Sequence, residues 1–591
     1  MKPFIKTTLA ATLGVILASI IGGILGIIVL VGIVSSTEKT PSIEENSILT
    51  LNLNGSLMEH GSEDPFASFS AVFNGGGDDN SSLGLDEILK AIKHAKSNDN
   101  IKGIYLKTGL LQAGVASFEE IRLALEDFKE SGKFVYAYIE QTCEQGAYYI
   151  SSVADSIFMN PSGSLGLYGM SATPVFYTDV LKKIGVEPQI FKVGTYKSAV
   201  EPYINTKMSE ASKEQTVSYM NCIWSNLLDD MSASRDMSKK DLNKAIDEFP
   251  MMQTAERVIE MGLIDSLCYI PDMKEVLAKR SGVESKDMHY VSVRELNKIP
   301  VEGEKYQANK IAVLYTAGQI YDKSNGMGSG EEIVYTPVVK ELEKLRKDEH
   351  VKAVVLRVNS PGGSAYASEQ ICQAIKELKK VKPVIASMGD YAASGGYYIS
   401  SNADSIIASP TTITGSIGIF GMFFNAEKLA QKVGLHYDMV KTNRFSDFGN
   451  MMRSMTPGEK ALMQANIERG YELFVSRCAV GRGMTPEAIK KVAEGRVWTG
   501  EQALGLGLVD KLGYIDDAIE VAANMAGISE YSVVSYPEKK DPFTSLMEEL
   551  SGGAQSMMQN RSMEARFENM LQDLQRSCGA QALMPYTLDI H

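Results

Sequence analysis

The chain runs to 591 residues, too long for one hydrophobic core, so more than one unit is expected. Hydrophobic residues make up 44% and charged residues 22%, the balance of a globular protein rather than a disordered one. A net charge of −14 disfavours nucleic acid as the main partner, because phosphate binding draws on clustered Lys and Arg.

Residues 9–34 form a run of 26 without a charge, following Lys2 and Lys6. A bilayer core takes about 20 apolar residues and a signal-peptide core only about 7–15, so a retained transmembrane helix is expected. A cleaved secretion signal is the alternative, since Val34, Ser35 and Ser36 are small enough for a processing enzyme. Lysines before the span and an acidic-leaning segment after it put the short tail in the cytoplasm. The body is then expected across the bacterial inner membrane, on the periplasmic side. Residues 1–46 thus read as tail, anchor and polar tether.

Residues 47–300 read as the first large unit. Ser-Ile-Leu-Thr-Leu-Asn-Leu-Asn over 47–54 alternates like a strand, and 57–84, rich in Gly, Ser, Asn and Asp, reads as a long loop. A helix over 85–95, a strand over 101–107, a helix over 118–130, a strand over 134–139, a helix over 147–153 and a strand over 156–159 follow. Such alternation predicts an α/β layered fold with a largely parallel sheet.

Residues 301–541 repeat that order. A strand is expected over 310–315, 351–358 matches 101–108 at a shift of 250, and 384–387 matches 135–138 at 249. Residues from Thr499 match those from Thr254 at 245. Residues 542–591, rich in Met, Glu and Gln, read as a helical tail with no assignable chemistry. Six cysteines, at 143, 222, 268, 372, 478 and 578, form no CxxC pair and have no histidine at metal spacing, so isolated thiols and no metal site are expected.

The two copies differ where chemistry would sit. Tyr148–Pro161 aligns with Tyr397–Pro410 at a constant 249, yet Ser394, just before the second block, faces Gln145 in the first. Residues 359–364 read Asn-Ser-Pro-Gly-Gly-Ser, against Gly-Leu-Leu-Gln-Ala-Gly at 109–114. Paired glycines at the end of a parallel strand can turn backbone N–H groups toward an oxyanion, or simply make a tight turn. Ser394, in Ala-Ala-Ser-Gly-Gly, has the small neighbours of a nucleophile elbow, although a serine there can also be a helix N-cap. None of the six histidines lies in a repeated motif, which leaves the serine without its usual base. Lys197, in Gly-Thr-Tyr-Lys-Ser-Ala-Val-Glu-Pro, is replaced by Ser446 in the second copy. A lone loop lysine is commonly a solvated charge. Its presence only in the copy that lacks the serine makes it the candidate base.

Taken together, the anchor, the stretch around Lys197, Asn359–Gly363, Gly389–Ser400 and Thr414–Gly421 (TGSIGIFG) resemble signal peptide peptidase A (protease IV) in its long double-domain form. The resemblance covers essentially the whole chain. It implies tandem duplicated ClpP/crotonase-like domains and a membrane-anchored serine endopeptidase that degrades cleaved signal peptides and similar apolar peptides. By the same resemblance Ser394 is the nucleophile, Lys197 the general base, Ser416 the serine that orients the lysine, and Gly363 and Gly395 the oxyanion donors. A homotetramer is implied, and no metal or cofactor. An acyl-CoA hydratase or isomerase on the same frame, and a non-enzymatic membrane scaffold, are the competing readings. A body outside the cytoplasm argues against the first, and the retained Ser394 and Lys197 argue against the second.

Overall fold

A computed structural model describes residues 14, 22, 43–61, 83–301, 307–324, 331–538 and 579–584. All but two residues of the expected span at 9–34 lie outside the described residues. Among the described residues no helix is long and apolar enough to cross a membrane.

The repeat read from the sequence is a repeat of topology. In the first unit six parallel strands stand in the order His289–Ser292, Ser47–Met58, Ile101–Gln112, Phe134–Ile139, Ser156–Met159 and Ser266–Leu267. In the second the order is Ser532–Tyr536, Lys310–Ala317, Val351–Ser360, Val384–Ala393, Ser405–Ala408 and Lys511–Leu512, again parallel. Each strand has its counterpart in the same place. The strands read as 134–139 and 156–159 fall where expected, whereas those read as 101–107 and 384–387 run on to Gln112 and Ala393.

Central strands are apolar on both sides because helices cover both faces of a parallel sheet. In Val351–Ser360, Val354, Leu356 and Val358 pack with Ile371 and Ile375 of the helix Ala365–Lys379. Ala353 and Val355 point the other way, into a cluster with Ala518 and Ala522 of the helix Ile515–Ala526. Side chains alternate with period 2, so one strand feeds two cores.

The units are not independent bodies. Ala393, Ile413 and Val497 of the second unit pack in the hydrophobic cluster of the first. Arg357, fully buried, pairs with Glu59 at 2.8 Å and Glu120 at 2.6 Å, both from the first unit. A third sheet crosses the boundary, in the order Glu332–Val334, Gln319–Tyr321, Gly362–Ser364, Gly579–Leu583, Phe420–Asn425 and Glu187–Lys192. Two expectations change here. The Gly-Gly pair at 362–363, read as a turn or anion cradle, is also a short strand of this sheet. Within 542–591, read as helix, the residues described are 579–584, and Gly579–Leu583 is a strand. Its partners explain the difference: strands on both sides supply hydrogen-bonding edges that outweigh local helix preference.

Candidate active site

Val384–Ala393 ends at Ser394, and the helix Gly395–Ser400 begins at the next residue. Ser394 has φ 54° and ψ −109°, a conformation that costs a residue with a Cβ about 1–3 kcal/mol. The surroundings enforce it. The Ser394 N–H donates to the Gly415 carbonyl at 2.8 Å, and the Ser394 carbonyl accepts from the Tyr398 N–H at 2.8 Å. Strand, strained serine and helix together have the form of a nucleophile elbow.

The lysine arrives from the other unit. Glu187–Lys192 pairs antiparallel with Phe420–Asn425, from Glu187 opposite Asn425 to Lys192 opposite Phe420. Beyond it the Val193 N–H donates to the Ile419 carbonyl at 3.2 Å and the Tyr196 N–H to the Glu494 carbonyl at 3.0 Å. This course lays Lys197 inside the second unit. Its Nζ lies 2.7 Å from Ser394 Oγ, 3.1 Å from Ser416 Oγ and 3.1 Å from the Ser416 carbonyl oxygen. No carboxylate is among these partners, and the side chain is wholly buried. Desolvation therefore holds the amine well below its ordinary pKa. A neutral amine has two N–H bonds and one lone pair. The N–H bonds match the two Ser416 oxygens, and the lone pair is left for the Ser394 hydroxyl.

Ser416 is itself held at φ 49°, its N–H donating to the Arg496 carbonyl at 2.7 Å. Gly363 and Gly395 come together beside the serine through Gly362: a Cβ built on Gly362 would stand 2.7 Å from the Gly395 nitrogen. Gly395 opens its helix, where N–H groups have no intrahelical acceptor. Ser394, Lys197 and Ser416 thus meet in one place with Gly395 next in the chain to the serine, while Gly363 is set by its neighbour Gly362.

Two supports were not visible in the sequence. A Cβ on Gly495 would stand 2.6 Å from Lys197 Cβ and 2.7 Å from its Cα, so only glycine lets the lysine lie there. Buried Gln215 donates to the Tyr196 carbonyl at 3.1 Å and to Ser198 Oγ at 2.9 Å, and accepts from the Val497 N–H at 3.1 Å. It clamps both flanks of Lys197 to the second unit. Neither residue sits in a repeated motif that could have drawn notice.

The alternatives fall elsewhere. No described histidine is among the hydrogen-bond partners of Lys197 or Ser394. Asp390 accepts from the Ser117 N–H at 2.8 Å and Ser117 Oγ at 2.7 Å, anchoring the helix Val115–Lys129 of the first unit. In the first unit Gln145 occupies the place that Ser394 has in the second, and its amide oxygen accepts from the Gly169 N–H at 2.8 Å, fastening a loop.

Comparison with known proteins decides the family. The family model described as Peptidase family S49 matches residues 127–284 and 376–529, one segment in each unit. The chain belongs to peptidase family S49. As an S49 peptidase it is a serine protease. It is 36% identical to Protease 4 of Salmonella typhi over 485 residues, covering 80% of this chain and 77% of that one. To Protease 4 of Haemophilus influenzae it is 32% identical over 558 residues, covering 91% and 90%. To a protein named Putative signal peptide peptidase SppA, of Enterococcus faecium, it is 34% identical over 238 residues, covering 40% and 69%.

Proposed function

We propose that this S49 peptidase is a membrane-anchored endopeptidase with a Ser/Lys dyad, built from two ClpP/crotonase-like domains, that degrades cleaved signal peptides and similar apolar peptides. The observation that carries the reading is the 2.7 Å contact between Lys197 Nζ and Ser394 Oγ. In the attack, Ser394 Oγ adds to the peptide carbonyl carbon while its proton passes to neutral Lys197. Backbone N–H groups of Gly363 and Gly395 receive the negative oxygen, a contribution of about 3–4 kcal/mol per donor in comparable sites. The C–N bond then breaks, and Lys197 returns the proton to the leaving amine. Water, deprotonated by the same lysine, hydrolyses the Ser394 ester. Apart from substrate and water, each step uses groups of this chain, with Ser416 holding the amine in line between them.

Burial of the base is what makes the scheme workable. A free lysine, with a pKa of about 10.4, is protonated at neutral pH and cannot accept a proton. The name of the Enterococcus faecium relative supports the substrate class. Residues 9–34, uncharged after Lys2 and Lys6, support a single retained span with the body on the periplasmic side of the inner membrane. A homotetramer, with residues 47–300 and 301–541 as paired domains in each copy, completes the proposal.

The test is kinetic. Lys197→Ala and Ser394→Ala should each remove nearly all hydrolysis of a peptide amide with the fold intact by circular dichroism. Residues acting as one unit are non-additive, so the double variant should be little worse than either single one. Near-normal turnover by Lys197→Ala at neutral pH would rule the lysine out as base.

A further inference from the structure

The loop that carries Lys197 is gripped by one side chain of the second unit. The Arg496 guanidinium lies over the Tyr196 ring, 4.6 Å from its centroid, and over the Trp498 ring, 4.4 Å from that centroid. Its Nη1 donates to the Tyr196 hydroxyl at 2.9 Å, and its Nη2 pairs with Glu214 at 3.0 Å. Glu214, on the helix Glu210–Arg235, also accepts from that hydroxyl at 2.9 Å. Among the described residues Arg496 Nε is buried with no hydrogen-bond partner. Hydrogen bonds alone therefore do not account for where the group lies. A planar guanidinium stacks on aromatic faces in a way a lysine ammonium does not.

Arg496 reaches both the loop and the serine beside the amine. Its side chain holds Tyr196, the residue before Lys197, and its carbonyl accepts from the Ser416 N–H at 2.7 Å. Trp498 is fixed in turn. Its Nε1 donates to the Val492 carbonyl at 2.9 Å, and its strand, Val497–Thr499, pairs with Ile413–Gly415, which ends beside Ser416.

The first unit shows that the frame does not need this stack. At the shift of 245, Phe249 matches Glu494, and both bend into the left-handed region, with φ 57° and 56°. Yet Pro250, Met251 and Gln253 stand where the second unit has Gly495, Arg496 and Trp498. The bend is kept in both copies, and the stack only in the copy that receives the lysine.

We propose that Arg496 is a positioning residue for the base, its stack on Tyr196 setting where Lys197 Nζ stands and keeping the amine closed off from water. The inference rests on the dyad reading above. Arg496 acts through Tyr196 and Ser416, not on a reacting atom. Of the carboxylates around the loop, Glu214 and Glu494 are exposed, the latter accepting from the Thr195 N–H at 3.4 Å. Buried Glu201 is taken up by the Ser209 N–H at 3.0 Å and hydroxyl at 2.6 Å. Burial is what holds the amine below its ordinary pKa, so a loosened loop that admits water should let that pKa rise.

Profiles of kcat and KM against pH, measured for the full chain on a fluorogenic apolar peptide, test this. Arg496→Lys keeps the charge and loses the plane, while Tyr196→Leu removes the ring from the other side. Each should lower kcat about 10- to 100-fold at neutral pH, the cost of a small displacement of a reacting group, with KM little changed. In each the rising limb should move to higher pH, so the deficit narrows as pH rises. Tyr196→Phe keeps the ring and should stay near wild type. The double variant Arg496→Lys/Tyr196→Leu should be little worse than the weaker single one, because residues in one contact are non-additive. Tyr196→Leu, at a half-buried position, decides the matter if Arg496→Lys does not fold. A deficit equal at every pH, with the limb unmoved, would make the stack a fold support and overturn the proposal. Wild-type profiles from both variants would overturn it as well. In both cases loss of hydrolysis by Lys197→Ala leaves the dyad standing, whereas near-normal hydrolysis by Lys197→Ala would overturn the dyad and this proposal with it.

Discussion

Gly495→Ala perturbs the proposed base, Lys197, without touching any of the atoms proposed to react. The new Cβ would stand 2.6 Å from Lys197 Cβ, 2.7 Å from its Cα and 2.8 Å from its nitrogen, at a residue whose φ is 78°. The left-handed conformation costs an alanine about 1–2 kcal/mol, and relieving the overlap costs about 1–3 kcal/mol more. A stability loss of roughly 2–5 kcal/mol is therefore expected, part of it relieved if the lysine loop moves. Such movement withdraws Nζ from Ser394, and a displacement of about 1 Å at a reacting group costs about 10²-fold in rate. Gly483→Ala is the matched control: its φ is 62°, but nothing lies within 4 Å of the added Cβ. It should lose only the conformational term and keep its activity. Thermal denaturation and kcat/KM on a fluorogenic peptide measure both quantities. If Gly495→Ala matches Gly483→Ala in both, the packing of Lys197 against Gly495 does not set the position of the base.

Ser416→Ala removes one of two oxygens that orient Lys197 and should lower kcat about 10- to 100-fold, the effect of losing a hydrogen bond worth about 1.5–3 kcal/mol, with KM little changed. The rate should rise with pH through the lysine pKa, which burial holds below the ordinary value, because only the neutral amine accepts the serine proton. The same burial means that the unfolded chain binds a proton which the folded chain does not. Stability should therefore rise with pH until it levels off above the unfolded lysine pKa, and Lys197→Met should be inactive yet melt at a higher temperature at neutral pH. Gln145→Ser should not rescue Ser394→Ala, since Lys197 serves the other unit and Gln145 already fastens the Gly169 loop. Protease added to spheroplasts should digest the body, and protection of the body would refute the periplasmic orientation.

The duplication and the meeting of Ser394 with Lys197 were legible because both leave marks on the linear chain. Buried parallel strands are continuous apolar runs, and a repeat doubles every such mark. Ser394 and Lys197 stood out because each is missing from the opposite copy. What stayed hidden depends on contacts between segments far apart in sequence. Gly495 is glycine because of a residue 298 positions earlier, in the other unit. Gln215 acts through Tyr196, Ser198 and Val497, which no periodicity joins. The strand at 579–583 escaped notice because its order comes from two foreign edges, while its own residues, Gly-Ala-Gln-Ala-Leu, carry little strand preference. The extension of Val384–Ala393 to Ser394 was hidden for the same reason: Tyr391–Ala393 is strand because Ile413–Gly415 pairs with it.

Labelling with a serine-reactive fluorophosphonate, with the modified residue located by mass spectrometry, tests the central claim most directly. The reagent is applied in excess to both the wild type and the Lys197→Ala full-length chain. The dyad predicts one modified residue, Ser394, in the wild type, appearing faster as pH rises, and none in Lys197→Ala at neutral pH. Modification of another serine, or of Ser394 at an unchanged rate without Lys197, would contradict it.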